Sequence, residues 1–427
     1  MAEIINARTA EQMEAASRHS LALAVQSVLS ASAKKVRLTS GAFAAEVNRL
    51  GITVANNDIT GAMEIRGNMP SGRQIAGLDD LNVLLYDTLA DTYKGVTFDT
   101  LANFAGVLAR DHSYNPVIDT LAAVEWDGCD RVEQLYGLIG ISDDDRLSQQ
   151  LVWKWLLQTV ALLYNDTSKP FGADGVLVLN GDQGTGKTSL LRHLALRDAW
   201  FREGLSIDDK DKDTTRRAVT AWIVEFGELE STLRGDLERL KAFVTASTDK
   251  YRLPYGRADT ETVRHASLAA TCNTEQFLID TTGNRRFWTV PFSRRTPYAE
   301  IKKLDALQLW AQIYAVVSPM AYDDKAACFR LTEQEQNALA ERNGAAVKPI
   351  KAQTEVADIL SQARDAGLVW QDMTVSAFKA AWPILTRYTA EQVGRALKQC
   401  GVEMKRKKNG RFYEVPTPTP PDKDVFI

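Results

Sequence analysis

Apolar residues recur every three to four positions through most of the first 160 residues, the spacing of a single buried helix face. Residues 1 to about 40 alternate small apolar and polar side chains and end in Lys34-Lys35, which predicts one or two surface helices. From Thr39 to about Leu163 the pattern stays helical, broken by a strand-turn-strand candidate at Ile52 to Ile65 and by turns at Asn115-Pro116 and Trp126-Asp127-Gly128. The period changes at Gly175. Val176-Leu177-Val178-Leu179 is a continuous apolar run bounded by glycine, as expected of a strand buried on both faces of a parallel sheet. Ala221 to Phe226 and Ala266 to Thr271 repeat that signal with helical patterns between them, so an α/β domain is expected over about residues 172–319.

Beyond Leu331 a polar helix, Glu333 to Arg342, leads into a Gly-Ala linker at Gly344 to Val347 and then Pro349. Helices are expected at Thr354 to Ala366, Thr374 to Trp382 and Thr389 to Cys400, followed by two short strands around the hairpin turn Asn409-Gly410. Three helices and a hairpin describe a winged helix-turn-helix. The expected organisation is therefore an N-terminal helical segment (1–40), a helical accessory or collar domain (41–165), an α/β domain (166–325), a linker (326–350), the winged helix (351–416) and a flexible, proline-rich tail (417–427).

Composition narrows the class without choosing a function. With 45% hydrophobic and 25% charged residues, the 427-residue chain is neither disordered nor fibrous, and its length suits two to four domains. A net charge of −4 leaves any nucleic-acid contact to local patches. Cys129, Cys272, Cys328 and Cys400 stand far apart without a C-x-x-C pair, which argues against structural zinc and a disulfide scaffold and points to a cytoplasmic protein. The apolar stretch Leu21 to Ala33 follows acidic residues and is interrupted by Gln26 and Ser27, so it reads as an amphipathic helix rather than a signal peptide. No uncharged apolar run reaches about 18 residues, so no membrane span or membrane partner is expected.

Chemistry concentrates at Gly181-Asp182-Gln183-Gly184-Thr185-Gly186-Lys187-Thr188, a complete G-x-x-x-x-G-K-[ST] loop between the strand 176–179 and a helix expected at Ser189 to Leu196. Gly181, Gln183, Gly184, Thr185, Gly186, Lys187, Thr188 and Ser189 are the candidate ATP-binding residues. The glycines let consecutive N–H groups face a phosphate, and the helix N-terminus adds positive potential. Lys187 would bridge the β- and γ-phosphates, and the Thr188 hydroxyl would ligate Mg2+. A bare glycine-rich turn is the plainer reading, and the strand-loop-helix context opposes it.

Trp222 to Glu228 reads as a second buried strand ending in carboxylates, Glu225 and Glu228, of which one would serve Mg2+ and the other would polarise the attacking water. In a straight strand these two acids point to opposite sides, so the assignment between them is open. The third strand ends at Asn273, a position suited to orienting that water; taken alone, such an Asn is a turn residue. Arg285 and Arg286 precede the aromatic Phe287-Trp288 and suit a γ-phosphate, across a subunit interface or otherwise, against the plainer reading of surface ion pairs.

Asn115-Pro116, Trp126-Asp127-Gly128 with Arg131, the loop 181–188, Trp222 to Glu230, Tyr251-Arg252-Leu253-Pro254-Tyr255-Gly256-Arg257, Thr271 to Asn273 and Gly283 to Trp288 together resemble the virulence-associated protein E family. The resemblance spans roughly residues 50–320. It implies a P-loop AAA+ core of the superfamily 3 helicase type, a homo-hexameric ring moving on DNA, and replication of prophages or genomic islands in a bacterial host, with host replication proteins as further partners. It also favours Glu228 over Glu225 as the catalytic acid. Relatives of this kind place a DNA-gripping hairpin between the acid strand and the Asn strand, where Lys241, Lys250, Arg252 and Arg257 fall with Tyr251 and Tyr255 interleaved, a composition suited to single-stranded DNA. In the C-terminal unit, Lys405, Arg406, Lys407, Lys408 and Arg411 concentrate charge on the wing and suit double-stranded DNA. For both groups a solvated basic loop is the plainer reading. The N-terminal primase domain of many relatives is not expected: too few residues precede the helical unit, and Asp143-Asp144-Asp145 lies in a loop pattern. Asp208 to Asp213 reads as a solvated loop rather than a metal site.

The leading expectation is an ATP-dependent DNA helicase. A nucleotide-switched DNA-binding initiator or regulator that does not translocate is the alternative, and a small-molecule kinase is disfavoured by the arginine pair and the appended winged helix.

Overall fold

The computed structural model describes residues 35–204, 219–227, 237–251, 260–273, 278, 284–345, 351–407 and 410–418. The chain divides into two compact units, one ending at Pro116 and one beginning at Val117. The segments expected at residues 1–34 and 208–213 lie outside the described residues.

The first unit runs β1 (Val36–Arg37), α1 (Ser40–Arg49), β2 (Thr53–Asn57), β3 (Ala62–Arg66), α2 (Leu78–Leu89), β4 (Tyr93–Lys94), α3 (Phe98–Asp111) and β5 (Ser113–Tyr114). Thr39 and Thr97 start α1 and α3 by accepting from the N–H groups of Ala42 and Thr100. The hairpin expected at Ile52 to Ile65 is β2 paired antiparallel with β3, and β5 joins β2 in parallel. Apolar faces of the three helices close on Val54 around Phe43, Leu81, Leu85 and Leu101. This unit is less purely helical than expected. Strands β1, β4 and β5 have two residues each, too few for alternation to register against helical neighbours. The expected helical unit 41–165 also divides, because the helices after Pro116 belong to the second unit.

That unit follows with α4 (Pro116–Ala122), α5 (Val132–Ile139), α6 (Arg146–Ala161), β6 (Val176–Asn180), α7 (Lys187–Leu194), β7 (Phe201–Arg202), β8 (Ile223–Phe226), α8 (Leu237–Val244), β9 (Thr248–Tyr251), β10 (Thr260–Val263), β11 (Ser267–Cys272) and β12 (Phe287–Pro291). Helices α9 (Tyr298–Ile301), α10 (Ala306–Val317), α11 (Tyr322–Ala327) and α12 (Glu333–Ala345) complete it. Five strands form one parallel sheet in the order β12-β6-β11-β8-β7. The three apolar runs read from the sequence are its three central strands, buried on both faces. From β6 the chain crosses to β7, returns through β8 to β11, and only then places β12 on the other side of β6. The carboxyl end of β6 is thus the topological switch point, where open α/β sheets bind ligands.

Tryptophans bolt helices to this sheet. The Trp155, Trp222 and Trp310 side chains are buried and in ring contact, and each indole N–H reaches a backbone carbonyl: Leu268 O at 2.9 Å, Thr159 O at 3.1 Å and Leu194 O at 2.6 Å. Satisfied N–H groups let these large side chains be buried without an orphan donor. Helix α12 runs through Ala345, so Gly344, expected in a linker, is helical.

The C-terminal segment contains α13 (Lys351–Asp365), β13 (Trp370–Met373), α14 (Val375–Ala381), α15 (Ala390–Gln399), β14 (Met404–Lys407) and β15 (Gly410–Pro416). All three expected helices and the hairpin are present, and Thr389 caps α15 through a capping box with Gln392. The addition is β13, which pairs with β15 to make a three-stranded antiparallel sheet.

Between β8 and β11, strands β9 and β10 form an antiparallel hairpin. Its base holds a buried ion pair: Arg264 is 0% exposed, donates through Nε to Asp249 Oδ2 at 2.8 Å and through Nη2 to Oδ1, and caps the Phe243 carbonyl through Nη1. Removing one partner strands a buried charge. Asp249→Ala should therefore lower stability by about 3 to 5 kcal/mol, whereas replacing both partners by apolar residues should be nearly neutral. Calorimetric unfolding of the single and double variants checks this, and equal losses would show that the bonds, not the stranded charge, dominate.

Candidate functional site

The loop after β6 is shaped by close backbone approach. Gly186 sits at φ +108, and a Cβ there would meet Thr296 O at 2.5 Å; a Cβ on Gly181 would meet Phe292 O at 2.3 Å. Only glycine admits both contacts. Thr296 N donates to Thr185 O at 2.9 Å, so the segment after β12 forms the back of the loop. Gln183 and Gly184 are exposed at the tip, and Thr185 is buried. Lys187, Thr188 and Ser189 form the first turn of α7.

Lys187 is 6% exposed, and its Nζ donates to Gly181 O at 2.6 Å, Asp182 O at 2.8 Å and Asn273 Oδ1 at 3.0 Å. The parallel pairing of Cys272 with Asn180 brings Asn273 here, setting the end of β11 beside the start of the loop. Glu225, 1% exposed on β8, accepts at Oε1 from the Thr188 hydroxyl at 2.7 Å and the Thr271 hydroxyl at 2.8 Å. Its Oε2 is buried without a hydrogen-bond partner among the described residues. Burial raises the Glu225 carboxyl above the ordinary glutamate range, against the lowering effect of the two hydroxyls.

Four of the expected residues, Lys187, Thr188, Glu225 and Asn273, thus meet at one end of the sheet. Thr271 joins them and was not foreseen, since a threonine inside a strand carries no signal beyond β-propensity. An unpartnered carboxylate oxygen beside a threonine hydroxyl fits Mg2+, which takes one or two protein oxygens and completes its shell with water and phosphate. Glu228 lies outside the described residues.

Arg285 and Arg286 lie elsewhere. They occupy a 3-10 turn, Asn284–Arg286, just before β12, whose first residue Phe287 pairs with Val176, the first residue of β6. The loop begins after Asn180, so a strand length of roughly 16 Å, at roughly 3.3 Å per residue, separates the arginines from their own chain's loop. Arg285 is exposed and Arg286 half-buried.

Among the basic residues expected at DNA, Lys241 is corrected. It is 4% exposed on α8, on a face it shares with the buried Leu240 and Val244, rather than on an exposed basic loop. Lys250 lies on β9, while its side chain, Arg252, Arg257 and Lys408 lie outside the described residues. On the C-terminal hairpin the charges separate by face. Lys405 pairs with Glu414 at 2.7 Å and Asp372 at 3.2 Å, and Lys407 with Asp372 at 2.7 Å. Arg406 and Arg411 are directly opposite each other, both exposed, with no acidic partner among the described residues. Like charges so placed repel unless an anion joins them.

Fold and site together define an α/β protein with a glycine-rich loop at the switch point of a parallel sheet. The chain belongs to the virulence-associated protein E-like family, whose domain it matches over residues 121–348, more than half its length. Structures of the C-terminal region of NrS-1 in its apo form are similar. One, covering residues 305–718 of that protein, aligns at 12% identity over 88% of this chain and 98% of its own, with a TM-score of 0.47; two others align at 13% and 14% identity with TM-scores of 0.45. No curated protein matches this chain. Among the described residues, no helix is long and apolar enough to cross a membrane.

Glu225→Gln keeps an oxygen for both threonines and removes the buried charge. A carboxyl whose folded pKa is raised loses stability as pH rises through that pKa, so the charged form opposes folding at neutral pH. Glu225→Gln should raise the ligand-free melting temperature at pH 7 to 8, and the gain should shrink as pH falls below the glutamate range. A lower melting temperature at neutral pH would mean that the carboxylate's charge stabilises the fold.

Proposed function

We propose that this chain is an ATP hydrolase with a P-loop AAA+ core of the superfamily 3 type, which assembles as a homo-hexameric ring and drives DNA unwinding in replication of a phage or mobile element. The observation that carries the reading is the convergence on Glu225. The phosphate-loop threonine and a third-strand threonine both hold one carboxylate whose second oxygen is free for a cation, while Lys187 meets Asn273. In this reading Lys187 would contact the phosphates of ATP, Thr188 and Glu225 would hold Mg2+, Asn273 would orient the attacking water, and Glu228 would polarise it. The bound Mg2+ would supply charge stabilisation to the phosphates. Gly181 to Thr185 wrap the phosphates with backbone N–H groups.

Placement of Arg285 and Arg286 at the opposite end of the sheet supports action in trans, on the γ-phosphate bound by the next subunit, and hence the ring. The β9–β10 hairpin, carrying Lys250 and leading to Arg252 and Arg257, is proposed to grip single-stranded DNA. The C-terminal unit is proposed as a winged helix that binds duplex through Arg406 and Arg411, with Lys408 beside them. The setting is the cytoplasm of a bacterial host, with its replication proteins as further partners.

Lys187→Ala should fold normally and abolish ATP hydrolysis; full ATPase activity in that variant would overturn the mechanism. A strand-displacement assay with purified protein then tests unwinding. ATP hydrolysis in DNA-bound rings without displacement would favour the non-translocating initiator instead.

The wing makes a sharper demand. Each phosphate contact adds about −0.9 to the slope of log affinity against log salt, so Arg406→Ala with Arg411→Ala should flatten the slope for duplex by about two units. Lys405→Ala with Lys407→Ala should change it far less, because Asp372 and Glu414 already neutralise those lysines. The reverse ranking in a salt series of duplex affinities would reassign the DNA face.

A further inference from the structure

Helix α12 carries a buried amide that the chemistry above leaves unused. Asn343 is 0% exposed. Its Nδ2 donates to Asn284 O at 2.8 Å and Phe287 O at 2.9 Å, and its Oδ1 accepts from the Thr289 hydroxyl at 2.7 Å. The two carbonyls fix the orientation of the amide, since only its NH2 group can donate to both. Asn284 and Phe287 flank Arg285 and Arg286, so a single side chain spans the arginine turn from end to end.

The neighbouring Arg342 fastens α12 itself. Its Nη1 donates to Ser148 Oγ at 2.8 Å and Thr289 O at 3.1 Å, and its Nη2 donates to Asp145 Oδ1 at 2.7 Å. Held in this way, the turn presents Arg285 to solvent and keeps Arg286 half-buried, with its Nε enclosed and unpartnered among the described residues. A three-residue 3-10 turn has few hydrogen bonds of its own, so its aim depends on what grips it.

We infer that Asn343 is a positioning residue that sets the direction in which Arg285 and Arg286 leave the subunit. This rests on the proposal that those arginines complete a neighbour's site. A purely structural amide would contribute to stability alone. A positioning amide also controls the neighbour's hydrolysis while leaving its own subunit's nucleotide affinity intact.

Asn343→Asp keeps the size and the acceptor but turns a carboxylate oxygen toward two carbonyls. In full-length protein it should leave the affinity for a fluorescent ATP analogue unchanged and lower hydrolysis at saturating ATP by about tenfold or more, since misplacement on the order of 1 Å is enough for losses of that size. Mixed with Lys187→Ala subunits it should regain activity, because its own phosphate loop is intact. Mixed with the Arg285→Ala/Arg286→Ala double variant it should not, because both lack the same half. Thr289→Val, which removes one donor and keeps both carbonyl bonds, should show the same mixing pattern with a smaller loss, and it carries the test if Asn343→Asp does not fold. Full hydrolysis by the folded variant, or recovery on mixing with the double arginine variant, overturns the positioning role. Full activity of the double arginine variant itself would overturn the finger reading and this role with it, an outcome distinct from an active Asn343→Asp beside inactive arginine variants.

Discussion

A carboxylate buried at the end of a sheet is the constraint around which the second unit is organised. Placing Glu225 out of water is unfavourable unless donors meet it, and the two that do come from separate parts of the chain, Thr188 on α7 and Thr271 on β11. That meeting needs β8, β11 and β6 in one register and the glycine loop folded tightly enough to start α7 at Lys187. The tryptophan layer behind the sheet fixes the helices that make this register possible. One oxygen of the carboxylate stays unpartnered among the described residues, so the fold retains a local energetic cost at the end of β8.

Much of this was legible in the sequence because it is written in consecutive residues. The loop 181–188 is a contiguous pattern with a contiguous context, and the three central strands are short, mostly apolar runs, so local reading sufficed. Helices of the C-terminal unit were equally plain, α14 and α15 each opened by a threonine cap. What could not be read depends on pairing between distant segments. Thr271 matters only because β11 lies beside β8, and Asn343 only because α12 lies against the turn before β12. Lys241 misled for the opposite reason: its charge suggests solvent, while the helix face it shares with Leu240 and Val244 is buried. The two-residue strands of the first unit fall below the length at which any period can be seen.

Parallel strands also give the domain polarity. Loop residues gather where strands end, and the arginine turn sits where β12 begins, so the sheet has one end suited to holding an anion and another suited to reaching toward one. The trans action proposed for Arg285 and Arg286 draws on that polarity, since the loop and the arginine turn lie at opposite ends of one sheet. Nothing in composition conveys this, since it follows from strand direction alone.

The back of the loop has a mechanical consequence. Gly181 and Gly186 lie against the carbonyls of Phe292 and Thr296, and the hydroxyls of Thr296 and Ser293 hold the carbonyls of Leu138 and Gly140 at 2.6 Å each. Main chain abuts main chain there, with no long side chain in between to bend and absorb a displacement. The segment 292–296 is thus held by the loop on one side and by the end of α5 on the other. The loop and the C-terminal turn of α5 therefore share one short support, with little slack between them.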